Sequence, residues 1–555
     1  MIVSKDKIAG KKYDLCVVGT GPAGIIVALE YARLQPEKTI LLVEYGDMNG
    51  TGRNDLDDGI INHNPTNHHD PYECTNKGFG GSSATWGGRC VMYDPVDFVA
   101  RPSIGGDCTW DETLFEECQP LLDATSDYFE CGRGGFDLGE MPDGSDARIA
   151  EGFQEGNVTD RVIERWSMPT RFGARYREQI AEMKNLFLAS GWEARDFGGV
   201  SSEEMLDSLK LRNREGGEVV KIEAGAFVLA AGTQETTRIL LRNPGVFERR
   251  GGPPETLGRY YQGHVSGKIA SVQFNGDPRK TDYDFGRDPE GCYYRRRFQF
   301  RKEFLVREDL LNTAIWLDNP LYHDPSHGSG AMSMMYLAMV TPVLGKRLAP
   351  PAIAQSITKG KVNKLPRHLW NVIKGLPGSL WIPASIFYRR YCLKRKLPGI
   401  FLYNRRNKYA LHFHAEQIPD PENKMVLAGD GETLEIHYHL TDKDVQSVIR
   451  LHEVLDDSLR KSGSGKLEYW FSREELPSAI RAMSRDGIHQ SGTTRIADDP
   501  ACGVVDRDLR VWGTRNLYLC SSSVFPTSSQ ANPTFMLGVF ALRLARHLSQ
   551  GYEKS

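Results

Sequence analysis

A histidine and an asparagine near the end of the chain carry the most specific chemistry in the sequence. His489 lies in "GIHQSGTTRIADDP" and Asn532 in "SSQANPT". A neutral imidazole is a base suited to neutral pH, and a carboxamide beside it can donate a hydrogen bond to an oxygen that is losing its proton. Held together, the two side chains could abstract the proton of an alcohol. A hydroxyl-oxidising enzyme is therefore the leading expectation. The elements that would aim them are legible: "RVWGTRNLYL" is an apolar strand pattern with a turn before it, and a helix pattern follows Asn532.

Such a reaction needs an electron acceptor, and the N-terminal stretch "YDLCVVGTGPAGIIVALEYA" has the features of a nucleotide site. A short buried strand (Leu15 to Val18) runs into a glycine turn with Gly19, Gly21 and Gly24, then into an apolar-periodic helix. Glu44 closes a second strand, "TILLVE". Glycines in this context let the backbone approach a pyrophosphate at a helix N-terminus, and the acid binds a ribose hydroxyl. The motif does not separate FAD from NAD.

At 555 residues the chain suits two domains, one interrupting the other. The 56 glycines favour a loop-rich α/β enzyme. Ten cysteines are scattered without C-x-x-C pairs, so reduced thiols are expected and no metal site. The N-terminus "MIVSKDKIAGKKYD" has no apolar targeting segment, and a cytoplasmic protein is expected.

The net charge of −3 conceals one strong asymmetry. Residues 325–415 contain no Asp or Glu, while Lys and Arg recur from Lys346 to Lys408. Apolar stretches inside this run are too broken by Pro and Gly for a spanning helix. Two readings stand: a surface that lies on an anionic membrane or docks a negative partner, and an insertion that packs on the acidic remainder of the same protein. Nucleic acid is the poorer partner, because the overall charge balance gives no reason for it.

Nucleotide-type segments recur in three places: at the start, at "AFVLAAGTQETTRILLRNPG" with a strand (Phe227 to Leu229) and a turn at Ala230 to Gly232, and at the C-terminus. The expected division is a discontinuous nucleotide domain at 1–95, 185–265 and 485–555, with a substrate domain at 96–184 and 266–484. Within the latter, "YALHFHAEQ", "NKMVLA" and "TLEIHYHL" alternate as an antiparallel sheet would, one face toward a cavity. The helix pattern "DKDVQSVIRLHEVLDDSLRKS" follows.

Seven segments in this order resemble the glucose-methanol-choline (GMC) oxidoreductases, most closely the branch of pyranose oxidase and related sugar dehydrogenases. They are "VVGTGPAG", "GFGGSSATWGGRCVMYDPVDF", "FVLAAGTQETTRILL", "LGRYYQGH", "AEQIPDPENKMVL", "HQSGTTRI" and "NLYLCSSSVFPTSSQANPT". The resemblance implies an α/β fold with an FAD-binding Rossmann-like domain and an α+β substrate domain on an antiparallel sheet. It implies that Gly19, Gly21, Gly24 and Glu44 hold the ADP half, and that Gly80, Gly81, Ser82 and Ser83 lie along the flavin and its phosphates. Ala231, Gly232, Ser521, Pro533 and Thr534 complete the implied cofactor site. His489 is implied as the base, Asn532 as the donor to the alkoxide, and flavin N5 as the hydride acceptor. His264 is implied to be structural, while His412 and His414 alternate on a strand and are candidates to face the cavity.

Two departures qualify the resemblance. Thr85 stands where several relatives carry a flavin-linking His, so non-covalent FAD is expected. Ser521 stands where many carry an acid. The expected substrate is a sugar, glycoside or aminocyclitol-like polyol, with oxygen, a quinone or a redox protein as electron acceptor. A lipophilic alcohol reached from a membrane, past an entrance lined by Met332, Met334, Met335 and Met339, is the alternative. A redox-silent lyase or scaffold is a third reading, and the His489 and Asn532 pair argues against it.

Overall fold

The computed structural model describes residues 8, 10–49, 59–104, 110–141, 147–168, 170–319, 322–341, 362 and 364–551. Apolar runs without polar alternation build the parallel part of the largest sheet, as strands covered on both faces require. Its strands are β1 (Lys12–Val18), β2 (Ile40–Glu44), β3 (Leu186–Ser190), β4 (Trp192–Phe197), β5 (Leu209–Asn213), β6 (Val219–Leu229) and, from near the C-terminus, β11 (Leu517–Leu519). The order is β3-β2-β1-β6-β5-β4, with β11 also paired to β6. The pairs β3–β2, β2–β1, β1–β6 and β6–β11 are parallel. β5 and β4 extend the sheet in antiparallel fashion.

The first two nucleotide-type segments run from a buried strand through a tight turn into a helix, and the third interposes a longer loop. α1 (Pro22–Leu34) follows β1, α4 (Gly232–Arg242) follows β6, and α9 (Pro533–Ser549) follows β11 after a buried loop. α9 packs along α1. Phe535, Met536, Val539 and Phe540 are fully buried there, each stabilising the fold by about 1.5–3 kcal/mol relative to exposure.

The second sheet is antiparallel, in the order β8-β9-β7-β10. It comprises β7 (His264–Phe274), β8 (Thr313–Asp318), β9 (Lys408–Glu416) and β10 (Gly465–Tyr469). The expected helix is α8 (Asp442–Lys461), opened by a reciprocal cap between Thr441 and Asp444. The expected α/β fold with a separate antiparallel substrate sheet is present.

Two expectations need correcting. Only the first of the three alternating segments joins the antiparallel sheet. Lys424–Leu427 and Leu434–His437 pair with each other and with Ile60–Asn62 in a separate three-stranded sheet. Alternation shows that a strand has two faces but does not select its partner. The stretch 96–184, expected in the substrate domain, also contributes to the core of the large sheet through Phe98, Trp110, Leu114, Phe129 and Phe172. The reason is that α2 (Glu112–Cys118) and α3 (Leu122–Phe129) pack on α9, where Phe129 meets Phe535 with ring centroids 5.5 Å apart.

Within the acid-free run, 342–361 and 363 lie outside the described residues. The flanks form α5 (Gly330–Val340), α6 (Leu365–Lys374) and α7 (Gly378–Phe387). Met332, Met335 and Met339 are buried in small satellite cores, so these methionines pack inside the protein rather than line an entrance. Among the described residues no helix is long and apolar enough to cross a membrane.

Candidate active site

The turn after β1 shapes one wall of a long cleft. Gly19 adopts φ +105°, and a Cβ there would lie 2.4 Å from the Ala230 carbonyl oxygen. A Cβ on Gly81 would lie 2.9 Å from the Gly21 Cα, so these two turns meet backbone to backbone. Three helix N-termini open on the cleft: α1 from Gly21, α4 from Ala231 and α9 from Asn532. In none of them does a side chain cap the first turn. Uncapped N–H groups at the positive ends of helix dipoles are what a pyrophosphate satisfies. Ile488, an apolar side chain left 54% exposed, also lines the cleft and would be covered by a bound ring. The donor set and the cradle fit a dinucleotide.

Of the residues expected to hold it, Gly19, Gly21, Glu44, Gly81, Ser82, Ala231, Gly232, Pro533 and Thr534 line the cleft. Glu44 is held at the end of β2, accepting the N–H of Thr20 at 3.1 Å and of Gly46 at 2.8 Å. Gly24, Gly80, Ser83 and Ser521 instead build the wall from behind. A Cβ on Gly24 would lie 1.9 Å from the Gly19 carbonyl oxygen, and one on Gly80 would lie 2.5 Å from the Gly173 nitrogen. The Ser83 hydroxyl donates to the Gly80 carbonyl at 2.6 Å and accepts the Phe172 N–H at 3.1 Å. Ser521 accepts the Ser523 N–H at 3.1 Å, and its neighbours Cys520 and Ser522 face the cleft in its place. Sequence reasoning missed Lys77, Arg242 and Gln490, which also line it; Lys77 directly precedes the "GFGGSS" run and Gln490 directly follows His489.

Gly19→Ala combines a left-handed backbone with a clash against the Ala230 carbonyl, a cost on the order of 1–3 kcal/mol or more. The variant is expected to retain at least tenfold less cofactor, read as the ratio of bound nucleotide to protein after gel filtration.

At the cleft mouth the predicted pair meets. Asn532 Nδ2 lies 2.6 Å from His489 Nε2. His489 Nδ1 lies 3.2 Å from Asp486 Oδ2, and the ring is 21% exposed. An amide N–H toward Nε2 and a carboxylate against Nδ1 select one tautomer. His489 carries its proton on Nδ1, and its Nε2 lone pair accepts the Asn532 amide N–H. Asn532 Oδ1 is buried without a hydrogen-bond partner among the described residues, an acceptor matched to a ligand hydroxyl.

Asp486 was not singled out from sequence, although the spacing "DGIH" puts it one turn before the base. Its Oδ1 accepts the backbone N–H groups of Gly487 at 2.6 Å, Ile488 at 2.9 Å and His489 at 3.2 Å. Its Oδ2 accepts the His264 N–H at 2.9 Å and faces the Nδ1 atoms of both His264 and His489. Burial would push this carboxyl up, but the adjacent His489 and the hydrogen bonds from His264 and His489 hold it well below the usual carboxylate range.

His264, implied to be structural, belongs to this network. Its Nε2 faces the Ser528 carbonyl at 3.2 Å, and its ring stacks on His414 at 4.0 Å. Burial draws the His264 pKa down, an effect that Asp486 opposes. His414 reaches the site as expected, its ring 5.4 Å from that of His489 and its Nδ1 on the Gln530 carbonyl at 2.6 Å. His412, on the same strand face, stacks on Trp316 at 4.6 Å instead. Burial pulls His412 down to about 3. Potential ligand atoms of His264, His414, Asp486 and His489 lie within 4.8 Å of one another. The hydrogen bonds just described account for that spacing.

The loop before Asn532 is pinned by a buried polar network. Gln530 Oε1 accepts from Arg297 Nη1 at 2.8 Å and Gln530 Nε2 donates to Asp94 at 2.8 Å, while the Ser529 hydroxyl donates to Asp97 at 2.5 Å. These contacts fix where α9 begins and hence where Asn532 points.

A family model described as GMC oxidoreductase matches residues 419–541. The chain is similar to a C-glycoside 3-oxidase of Microbacterium trichothecenolyticum, 28% identical over 125 residues, which are 21% of each chain. It is also similar to a paromamine 6'-oxidase of Streptomyces fradiae, 27% identical over 133 residues, 23% of each chain. The matched stretch thus spans less than a quarter of the length of these relatives. Among solved structures, pyridoxine 4-oxidase from Mesorbium loti shares the fold, with a TM-score of 0.52 at 17% identity over 96% of this chain and 99% of that one.

Proposed function

We propose that this chain, which shares a GMC oxidoreductase segment at residues 419–541, oxidises an alcohol group of a sugar, glycoside or aminocyclitol-like polyol to a carbonyl, using FAD. The observation that carries the reading is the 2.6 Å approach of Asn532 to His489 Nε2 at the mouth of the dinucleotide cleft. A substrate hydroxyl that displaces the Asn532 N–H from Nε2 gives its proton to Nε2, while the freed amide donates to the oxygen as charge develops on it. Asp486 keeps the Nδ1 proton in place and stabilises the imidazolium that forms. When bound, FAD supplies the acceptor for the hydride that leaves the carbon. Two of the similar proteins are named for oxidising a C-glycoside and paromamine, which supports a sugar-like substrate.

The cofactor is held without a covalent bond in this reading. Thr85 lies at the end of the short helix Gly81–Ala84 and offers no nucleophilic imidazole there. Acid precipitation is expected to release the flavin into the supernatant; yellow colour left in the pellet would contradict the assignment. A second reading, a lipophilic alcohol, is favoured by the outward apolar faces of α6 and α7. One experiment separates the readings: anaerobic addition of sugars, aminocyclitols or hydrophobic alcohols, with bleaching of the flavin absorbance as the signal. Bleaching by a polyol supports the first, bleaching by hydrophobic alcohols alone supports the second, and a spectrum unmoved by every alcohol would overturn the oxidoreductase reading.

A further inference from the structure

Within the acid-free run, residues 365–403 turn large apolar side chains outward. Of the large apolar side chains exposed among the described residues, all but Ile61, Val219 and Ile488 lie between Leu365 and Tyr403. Trp381 is 73% exposed, Trp370 63% and Ile373 61%. Leu369, Leu380 and Phe387 extend the same surface. Soluble helices place such residues against the core and polar ones toward water. Here the arrangement is reversed.

Apart from Ile386, which packs in a small apolar cluster, the side of α6 and α7 that meets the protein is polar and small. His368 is fully buried, its Nδ1 3.0 Å from Ser333 Oγ on α5. Asn371 Nδ2 donates to the Pro325 carbonyl at 2.9 Å and to Ser333 Oγ at 3.2 Å. The Ser379 hydroxyl donates to the Val372 carbonyl at 2.9 Å. At the crossing, a Cβ on Gly330 would lie 2.6 Å from the Asn371 carbonyl oxygen and 3.2 Å from the Gly375 Cα. Specific hydrogen bonds and a glycine crossing thus hold the hairpin with its tryptophans outward, and a contiguous exposed patch of this kind marks an interaction surface.

Charge selects the partner. No Asp or Glu occurs in 325–415, and Arg367, Lys374 and Lys394 are exposed with no ion pair among the described residues. A second copy seated on this face would set cation against cation. Tryptophan and tyrosine beside lysine and arginine, around an aliphatic patch, are the composition of a helix lying at the boundary of an anionic bilayer. α6 and α7 have ten residues each, about 15 Å at 1.5 Å per residue, half of a hydrocarbon core.

We propose that the α6–α7 hairpin, residues 365–387, lies in the plane of an anionic membrane surface and attaches the protein to it without crossing. Leu369, Trp370, Ile373, Leu380 and Trp381 enter the headgroup boundary, and Arg367, Lys374 and Lys394 meet lipid phosphates.

The test uses the full chain with its cofactor and vesicles of phosphatidylcholine with or without phosphatidylglycerol, followed by flotation. The protein is expected to float with the anionic vesicles and to dissociate as salt rises. The double variant Trp370→Glu, Trp381→Glu is expected to bind at least tenfold more weakly while keeping its flavin absorbance and melting temperature. Quenching of the tryptophan fluorescence of the unaltered protein by brominated phosphatidylglycerol is an independent readout that needs no variant. Failure to float with anionic vesicles at low salt, or absence of quenching on binding, would overturn the proposal. A dimer in solution that the same double variant dissociates, with no lipid binding, would assign the surface to a second copy instead.

Discussion

His489→Ala is expected to slow flavin bleaching by substrate by about 10²- to 10⁴-fold, the range a positioned general base contributes, while the protein keeps its full complement of FAD. The separation of the two readouts follows from the geometry. His489 points its Nε2 toward Asn532, and its side chain is not part of the cleft lining, which the glycine turns and the α1 and α4 N-termini build. Anaerobic stopped-flow at saturating alcohol gives the rate, and the flavin spectrum of the purified variant gives occupancy. A ring that merely packed against His264 and His414 would show the opposite pattern, with lost flavin or a lowered melting temperature and a nearly unchanged reduction rate. Asn532→Ala is expected to cost less, because it removes one donor to the developing alkoxide and leaves the base in place.

His489 and Asn532 were legible because residue type and context agreed. Asn532 stands at the N-cap of α9, whose helix pattern the sequence displays, and His489 lies in the "GIHQSGTT" loop that Asp486 holds against it. The glycine turns were legible for the same reason, since Gly19 needs a positive φ and Gly81 a close backbone approach. Asp486 was not legible. An acid one turn before a histidine is common on any surface, and only the fold shows that Asp486 is buried, with His264 arriving from β7 to share its oxygen. Ser521 failed for a related reason: the backbone turn sends its hydroxyl to Ser523 and gives the cleft to Ser522. The second-domain assignment of 96–184 missed because apolar periodicity shows that α2 and α3 are amphipathic without showing that α9 is what they cover. The acid-free run was legible as unusual, but two readings remained until the faces of α6 and α7 were known. Composition cannot say which side of a helix faces out.

Asp486→Asn carries the second large expectation, a fall of about 10²-fold or more in the rate of alcohol oxidation. In the unaltered protein one carboxylate oxygen faces Nδ1 of both His264 and His489, which obliges His489 to keep its proton on Nδ1 and its lone pair on Nε2. An amide in that place presents an N–H to at least one ring. The His489 tautomer with its proton on Nε2, useless as a base toward the cleft, then becomes populated. A positioning role predicts that kcat falls while flavin content and KM stay nearly unchanged, whereas a purely structural loss lowers flavin content together with the rate. Stability follows its own sign. The Asp486 carboxyl is depressed in the folded state, so its contribution is present above the ordinary carboxylate value and is lost only as pH falls through the depressed one. The variant should therefore melt lower than the unaltered protein at neutral pH, and the gap should close in strong acid. An unchanged rate would mean that His489 keeps its tautomer without Asp486, and the positioning role would fall while the base survived.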